Sequence, residues 1–105
     1  MKVAVIGATG FVGSEIVKEL VSRNQSIKAF ARNTDNVLES KNVAPVQVDV
    51  NDIEALATDL QGADVVVSAF NAGWANPNLY ADFLKGVKAI EEATQRAGVK
   101  RLIVV

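Results

Sequence analysis

Three observations in the 105-residue chain predict an α/β fold built on a parallel sheet. Short apolar runs alternate with amphipathic helical segments from end to end. The apolar runs are near-continuous, as in Val65-Val66-Val67, which suits strands buried on both faces. A glycine-rich turn joins the first apolar run to the first helical pattern, as a βα unit requires.

The elements follow in order. Lys2–Ile6 reads as the first strand. A helix is expected from about Phe11 to Arg23, with Val12, Ile16, Val17, Leu20 and Val21 on one stripe and Glu15, Lys18, Glu19 and Ser22 in water. Glu19 and Arg23 stand four apart in the favourable order, and Asn24 is a stop. Ser26–Ala31 is the second strand, and Asn33–Ser40 is read as a short helix. The third strand is placed at Val46–Val50, after Pro45. Asn51 with Glu54 makes a candidate capping box for a helix to about Leu60, and Gly62 is suited to end it.

Asp64–Phe70 is the fourth strand, followed by a loop with Gly73, Asn76 and Pro77. A long helix runs from about Asn78 to Ala97, with Tyr80, Phe83, Leu84, Val87 and Ile90 on its packing face and Gly98 at its end. Arg101–Val105 is the fifth strand. Right-handed crossovers favour strand order 3-2-1-4-5. The first and fourth strands are then neighbours whose crossovers leave in opposite directions, and ligands bind in the crevice above such a switch point.

Composition narrows the function classes. Half of the residues are hydrophobic, enough for one domain with a real core. The formal net charge is −1 and no basic run occurs, which argues against nucleic-acid or anionic-membrane partners. The chain has no cysteine and no histidine, so disulfides, cysteine–histidine zinc sites and imidazole catalysis are excluded within it. The N-terminal apolar run Val3–Ile6 is too short for a signal peptide or a membrane span, and a cytoplasmic location is expected.

Chemistry concentrates in Gly7-Ala-Thr-Gly10-Phe-Val-Gly13. Gly7 turns the chain off the strand, Gly10 lets a pyrophosphate approach the backbone, and Gly13 lets helix pack on strand. Free N–H groups at the helix start face the phosphates. The whole run Gly7, Ala8, Thr9, Gly10, Phe11, Val12 and Gly13 is therefore assigned to a dinucleotide. The bland alternative is an ordinary βα turn with fortuitous glycines.

The residue that reads the adenosine ribose is expected at the end of the second strand, about 20 residues after the glycines. That position holds Arg32 rather than a carboxylate, and the next acid is Asp35. An arginine there pairs with a 2′-phosphate, so NADP(H) is expected over NAD(H). The alternative is a solvated arginine at a strand end. Asn33 and Thr9 are candidates for further hydrogen bonds.

The G-x-x-G-x-x-G spacing with Ala8-Thr9 inside it resembles the short-chain dehydrogenase/reductase superfamily. The form GATGFVG looks like its extended and atypical branches, including NmrA-like and flavin-reductase-like proteins. The resemblance implies a Rossmann-type sheet and covers the cofactor half of the family fold. It places Asp49 and Val50 beside the adenine, although Asp49 equally reads as the start of the next helix's capping turn. It places Ser68, Ala69, Phe70 and Asn71 along the adenine-ribose and nicotinamide. Small residues at Ala69 and Ala72 would admit the cofactor, and Phe70 is a packing residue or a wall. Trp74 either walls a substrate pocket or covers the sheet edge.

The family's usual Tyr-x-x-x-Lys pair is missing. Four residues after Tyr80, the chain's one tyrosine, stands Leu84, and Lys85 is one position too far. Tyr80 is read as a core or pocket-lining residue, and Asp82, Glu91 and Glu92 as a solvated face. No catalytic residue or metal cluster is identified. The chain is expected to be an N-terminal fragment of a longer reductase, truncated after the fifth strand, whose apolar edge invites self-association. The resemblance implies hydride transfer to a small-molecule acceptor such as a flavin, quinone or carbonyl. It also admits a non-catalytic NmrA-type redox sensor, or the cofactor half of a sugar-nucleotide epimerase or dehydratase.

Overall fold

The computed structural model describes residues 1–70 and 78–105; Asn71, Ala72, Gly73, Trp74, Asn76 and Pro77 lie outside the described residues. The elements run β1 (Lys2–Ile6), α1 (Phe11–Ser22), β2 (Ser26–Ala31), β3 (Val43–Gln47), α2 (Ile53–Leu60), β4 (Val65–Ser68), α3 (Leu79–Arg96) and β5 (Leu102–Val104). The five strands form one sheet in the order β3-β2-β1-β4-β5, and every pairing is parallel. This is the expected order. β1 sits at the centre, with Val5 opposite Ala29 on one side and Val67 on the other.

Side chains alternate across the sheet with a period of two, and both faces are covered. From β1, Val3 and Val5 join one core with Val17, Ile27 and Ala29, packed by Ile16, Leu20 and Val21 of α1. Ala4 and Ile6 join the other with Phe30, Val66, Leu56 and Leu60 of α2, and Ile90 and Ala93 of α3. A strand buried on both faces must be apolar throughout, which is why these runs do not alternate with polar residues. Asn24 (φ 58°) and Gly98 (φ 75°) follow the ends of α1 and α3 as expected. The Glu19–Arg23 pair forms at 2.8 Å on the outer face of α1. Among the described residues, no helix is long and apolar enough to cross a membrane.

Several expectations shift. The third strand lies at Val43–Gln47, three residues earlier than Val46–Val50. Pro45 is inside it, opposite Ala29, and is tolerated because β3 is an edge strand. The alternation of Val46, Val48 and Val50 continues beyond the strand because Val48 and Val50 dive into the core as the chain leaves the sheet. Residues 33–40 form turns and extended chain, not a helix. The Asn33 side chain accepts the Asp35 N–H at 2.9 Å, a local bond that competes with helix formation.

The cap of α2 is Asp52, whose Oδ1 accepts the Ala55 N–H at 3.2 Å, rather than Asn51. β4 is shorter than Asp64–Phe70, and β5 is shorter than Arg101–Val105. On α3 the buried stripe is Gly86, Ala89, Ile90, Ala93 and Thr94, with Phe83 and Val87 half-buried. Tyr80 is 78% exposed and Leu84 is also exposed, so neither belongs to the packing face. Val12, 47% exposed, likewise stands off the α1 stripe.

Candidate functional site

The glycine loop is built where β1 ends. Gly7 takes φ +80°, and a Cβ there would lie 2.6 Å from the Ala69 carbonyl oxygen. The N–H groups of Gly7 and Ala8 both donate to the Phe30 carbonyl oxygen, at 3.0 and 3.1 Å. This anchors the loop to the end of β2. Gly13 packs directly on the loop: a Cβ there would lie 2.8 Å from the Gly7 carbonyl carbon and closer still to its oxygen.

Gly10 is different. Its backbone is ordinary extended chain (φ −71°, ψ 171°), and a Cβ would meet only the Gly7 carbonyl oxygen, at 3.4 Å. Neither conformation nor packing demands glycine at this position.

α1 opens with its donors unspent. The Ser14 N–H donates to the Gly10 carbonyl at 2.9 Å, and no side chain caps the turn. The amides of Phe11, Val12 and Gly13 therefore keep the orphaned state of any helix's first turn, with the positive end of the helix behind them.

Above the C-terminal ends of the strands lies a cleft of about 470 Å³, within the size range of small-molecule sites. Gly7, Thr9 and Gly10 line one wall. Arg32 and Asn33 enter from the end of β2, Asp49 and Val50 from beyond β3, and Ala69 and Phe70 from beyond β4. The topology thus brings nine of the fourteen expected residues to one cleft.

The other five lie outside its lining. Ala8 and Ser68 are buried in the core region, and Gly13 is buried beneath the loop. Phe11, 92% exposed, and Val12, 47% exposed, open α1 beside the glycine loop but do not line the cleft.

Asp49 and Arg32 differ in their local partners. Asp49 Oδ1 accepts the Asn51 N–H at 2.9 Å, and its carbonyl accepts the Asp52 N–H at 2.9 Å. Asp49 therefore shapes the turn before α2 while also lining the cleft. Arg32 is exposed and makes no ion pair or hydrogen bond with any described residue.

Ile6, Phe30, Ala31, Val48 and Asn51 also line the cleft, as do Asp82 and Lys85 of α3, two charged residues that sequence reasoning missed as site residues. Three apart, they share one helix face, but the spacing does not say that this face looks into the cleft. Tyr80, in the first turn of the same helix, is not part of the lining. Among the described residues, no group of three histidine, cysteine or acidic side chains could hold a metal ion.

Open space over Gly10, the first amides of α1 and a guanidinium that is unpaired among the described residues share one end of the sheet, an arrangement that fits a dinucleotide. Comparisons with known proteins agree. The family model described as NAD(P)H-binding matches residues 7–105. The uncharacterized Bacillus subtilis protein YwnB is 38% identical over 82 residues, covering 78% of this chain and 37% of that protein. The Saccharomyces cerevisiae protein YMR090W is 35% identical over 114 residues, covering all of this chain and 50% of its own length. The crystal structure of the oxidoreductase ylbE from Lactococcus lactis superposes with a TM-score of 0.87 at 32% identity, covering 99% of this chain and 47% of that one. The chain spans half or less of the length of these relatives.

Proposed function

Because this chain belongs to the NAD(P)H-binding family of Rossmann-type domains, we propose that it holds NADPH in the cleft and orients it for hydride transfer to a small organic acceptor. The observation that carries the choice of NADPH over NADH is Arg32, an arginine without a partner among the described residues, lining the same cleft as Gly7 and Gly10.

Each residue has a role in this reading. The amides of Phe11, Val12 and Gly13, with the open backbone at Gly10, receive the pyrophosphate. Arg32 pairs with the 2′-phosphate, and Asn33 and Thr9 add hydrogen bonds. Asp49 and Val50 flank the adenine, and Ala69 and Phe70 wall the path toward the nicotinamide. The bound cofactor supplies the hydride, and the protein supplies binding and orientation.

The acceptor class is a flavin, quinone or carbonyl, and the substrate-binding part is assigned to sequence outside these 105 residues, in keeping with the length of the relatives. Conjugated acceptors need little acid–base help, which suits a cleft whose lining includes no tyrosine. The same observation favours one second reading, a redox sensor that binds the dinucleotide without turning it over. Arg32 speaks against an NAD-using epimerase or dehydratase.

Calorimetric titration of the chain with NADPH and with NADH tests the proposal. Clearly tighter NADPH binding is the expected result. Equal affinities remove the assignment of Arg32, and binding of neither removes the reading of the cleft. Oxidation of NADPH with a panel of acceptors, by a protein of the relatives' length, separates reductase from sensor.

A further inference from the structure

Gly86 stands in the interior of α3, an 18-residue helix, where alanine is the better helix former. Its φ is not positive, so its backbone does not need glycine. The reason lies in what packs on it. A Cβ on Gly86 would fall into the Phe70 ring, 2.5 Å from Cζ and closer to Cε2, with Cδ2 at 3.1 Å. The same ring stacks on Phe83, one turn earlier on α3, with centroids 6.1 Å apart and planes inclined by 14°. Phe70 thus lies flat on α3 only because Gly86 has no side chain.

Phe70 is held from the other side as well. The Ala69 N–H donates to the Ile6 carbonyl at 2.9 Å. Gly7 abuts the Ala69–Phe70 peptide so closely that a Cβ would lie 3.1 Å from the Phe70 nitrogen. The backbone of Phe70 is pinned to the glycine loop, and its ring is laid on α3. Phe70 also lines the cleft. A ring displaced from α3 therefore has the cleft beside it.

We propose that Gly86 is a positioning residue: the gap it leaves seats Phe70 on α3, and so keeps open the cleft between the glycine loop and that helix. The inference rests on the reading of the cleft as a cofactor site. It assigns the width of that site to a residue that does not line it.

The test is a set of titrations with NADPH, accompanied by thermal unfolding, on the parent chain, Gly86→Ala, Phe70→Leu and the double variant Gly86→Ala/Phe70→Leu. Gly86→Ala is expected to weaken NADPH binding about tenfold or more, as overpacking of a filled contact does. Measured against Phe70→Leu alone, the double variant should show little further loss of affinity, because the smaller side chain clears the new methyl. The Phe70–Phe83 ring contact, read by aromatic NMR cross-peaks without any cofactor, should be lost in Gly86→Ala. If Gly86→Ala does not fold, a folded and binding double variant still supports the inference, and an unfolded one overturns it.

Unchanged affinity in Gly86→Ala, or an equal loss when Gly86→Ala is added to Phe70→Leu, overturns the positioning role while leaving the cofactor site standing. Failure of the parent chain to bind NADPH removes the reading of the site, and this inference with it.

Discussion

A Cβ on Gly13 would collide with the Gly7 carbonyl group, lying 2.8 Å from its carbon, so the first turn of α1 rests on the backbone of the glycine loop. Gly10, three residues from each, has no such neighbour. The three glycines therefore divide into two that shape the loop and one that leaves room above it.

That division predicts opposite phenotypes. Gly13→Ala forces backbone against backbone and should destabilise the domain by about 1–3 kcal/mol or more. Gly10→Ala suits its extended conformation and should leave stability within about 1 kcal/mol of the parent. It should nevertheless weaken NADPH binding, because the methyl occupies the phosphate's approach. Urea unfolding and calorimetry on both variants check this, and equal stability losses would contradict the division.

Arg32→Ala should lower NADPH affinity by roughly 10- to 100-fold, the range for a lost charge-assisted hydrogen-bonding partner. NADH affinity should stay within about threefold, since NADH has no 2′-phosphate to lose. The NADPH preference of the parent should also shrink as salt rises, because Arg32 is exposed. A parallel fall for both cofactors would assign Arg32 to a structural role instead.

Asp52→Ala should cost about 1 kcal/mol through loss of the α2 cap. Asn51→Ala should be close to neutral, because Asn51 contributes its backbone N–H, not its side chain, to the turn at Asp49. Thermal unfolding of the pair decides between the two residues as the cap.

Ile90→Ala should destabilise by about 2–5 kcal/mol, the usual cost of emptying a buried isoleucine site. Tyr80→Ala, on the same helix but 78% exposed, should cost less than about 0.5 kcal/mol. Comparable losses at both positions would restore Tyr80 to the packing face.

The contrast on α3 also shows what sequence makes visible. Strand order, helix spans and the gathering of Gly7, Gly10, Arg32, Asp49 and Phe70 around one crevice all follow from local pattern plus the handedness of crossovers. Pattern alone misled where an apolar period outlasts its element. Val46, Val48 and Val50 alternate like a strand, yet the chain has left the sheet by Val48 while its side chains still fill the core.

Asp82 and Lys85 were illegible for another reason. Which face of a long helix looks into a cleft depends on how the helix docks, and α3 docks through Ile90 and Ala93 in the core that it shares with α2. Nothing in the spacing of charges encodes that docking. The turn at 33–40 was lost to a single side-chain bond, that of Asn33 with the Asp35 N–H.

The shared acceptor at Phe30 has a thermodynamic consequence. A glycine-rich loop left to wander would have to be immobilised when a ligand arrives, at about 1–2 kcal/mol for each residue fixed. Two amides of this loop are instead clamped to β2 during folding, and the clamp sits two residues before Arg32. The start of the loop is thus tied to the strand that carries Arg32 whether or not a ligand is present. A ligand meeting a loop so tied keeps more of its contact energy as affinity, with less spent on stilling the chain.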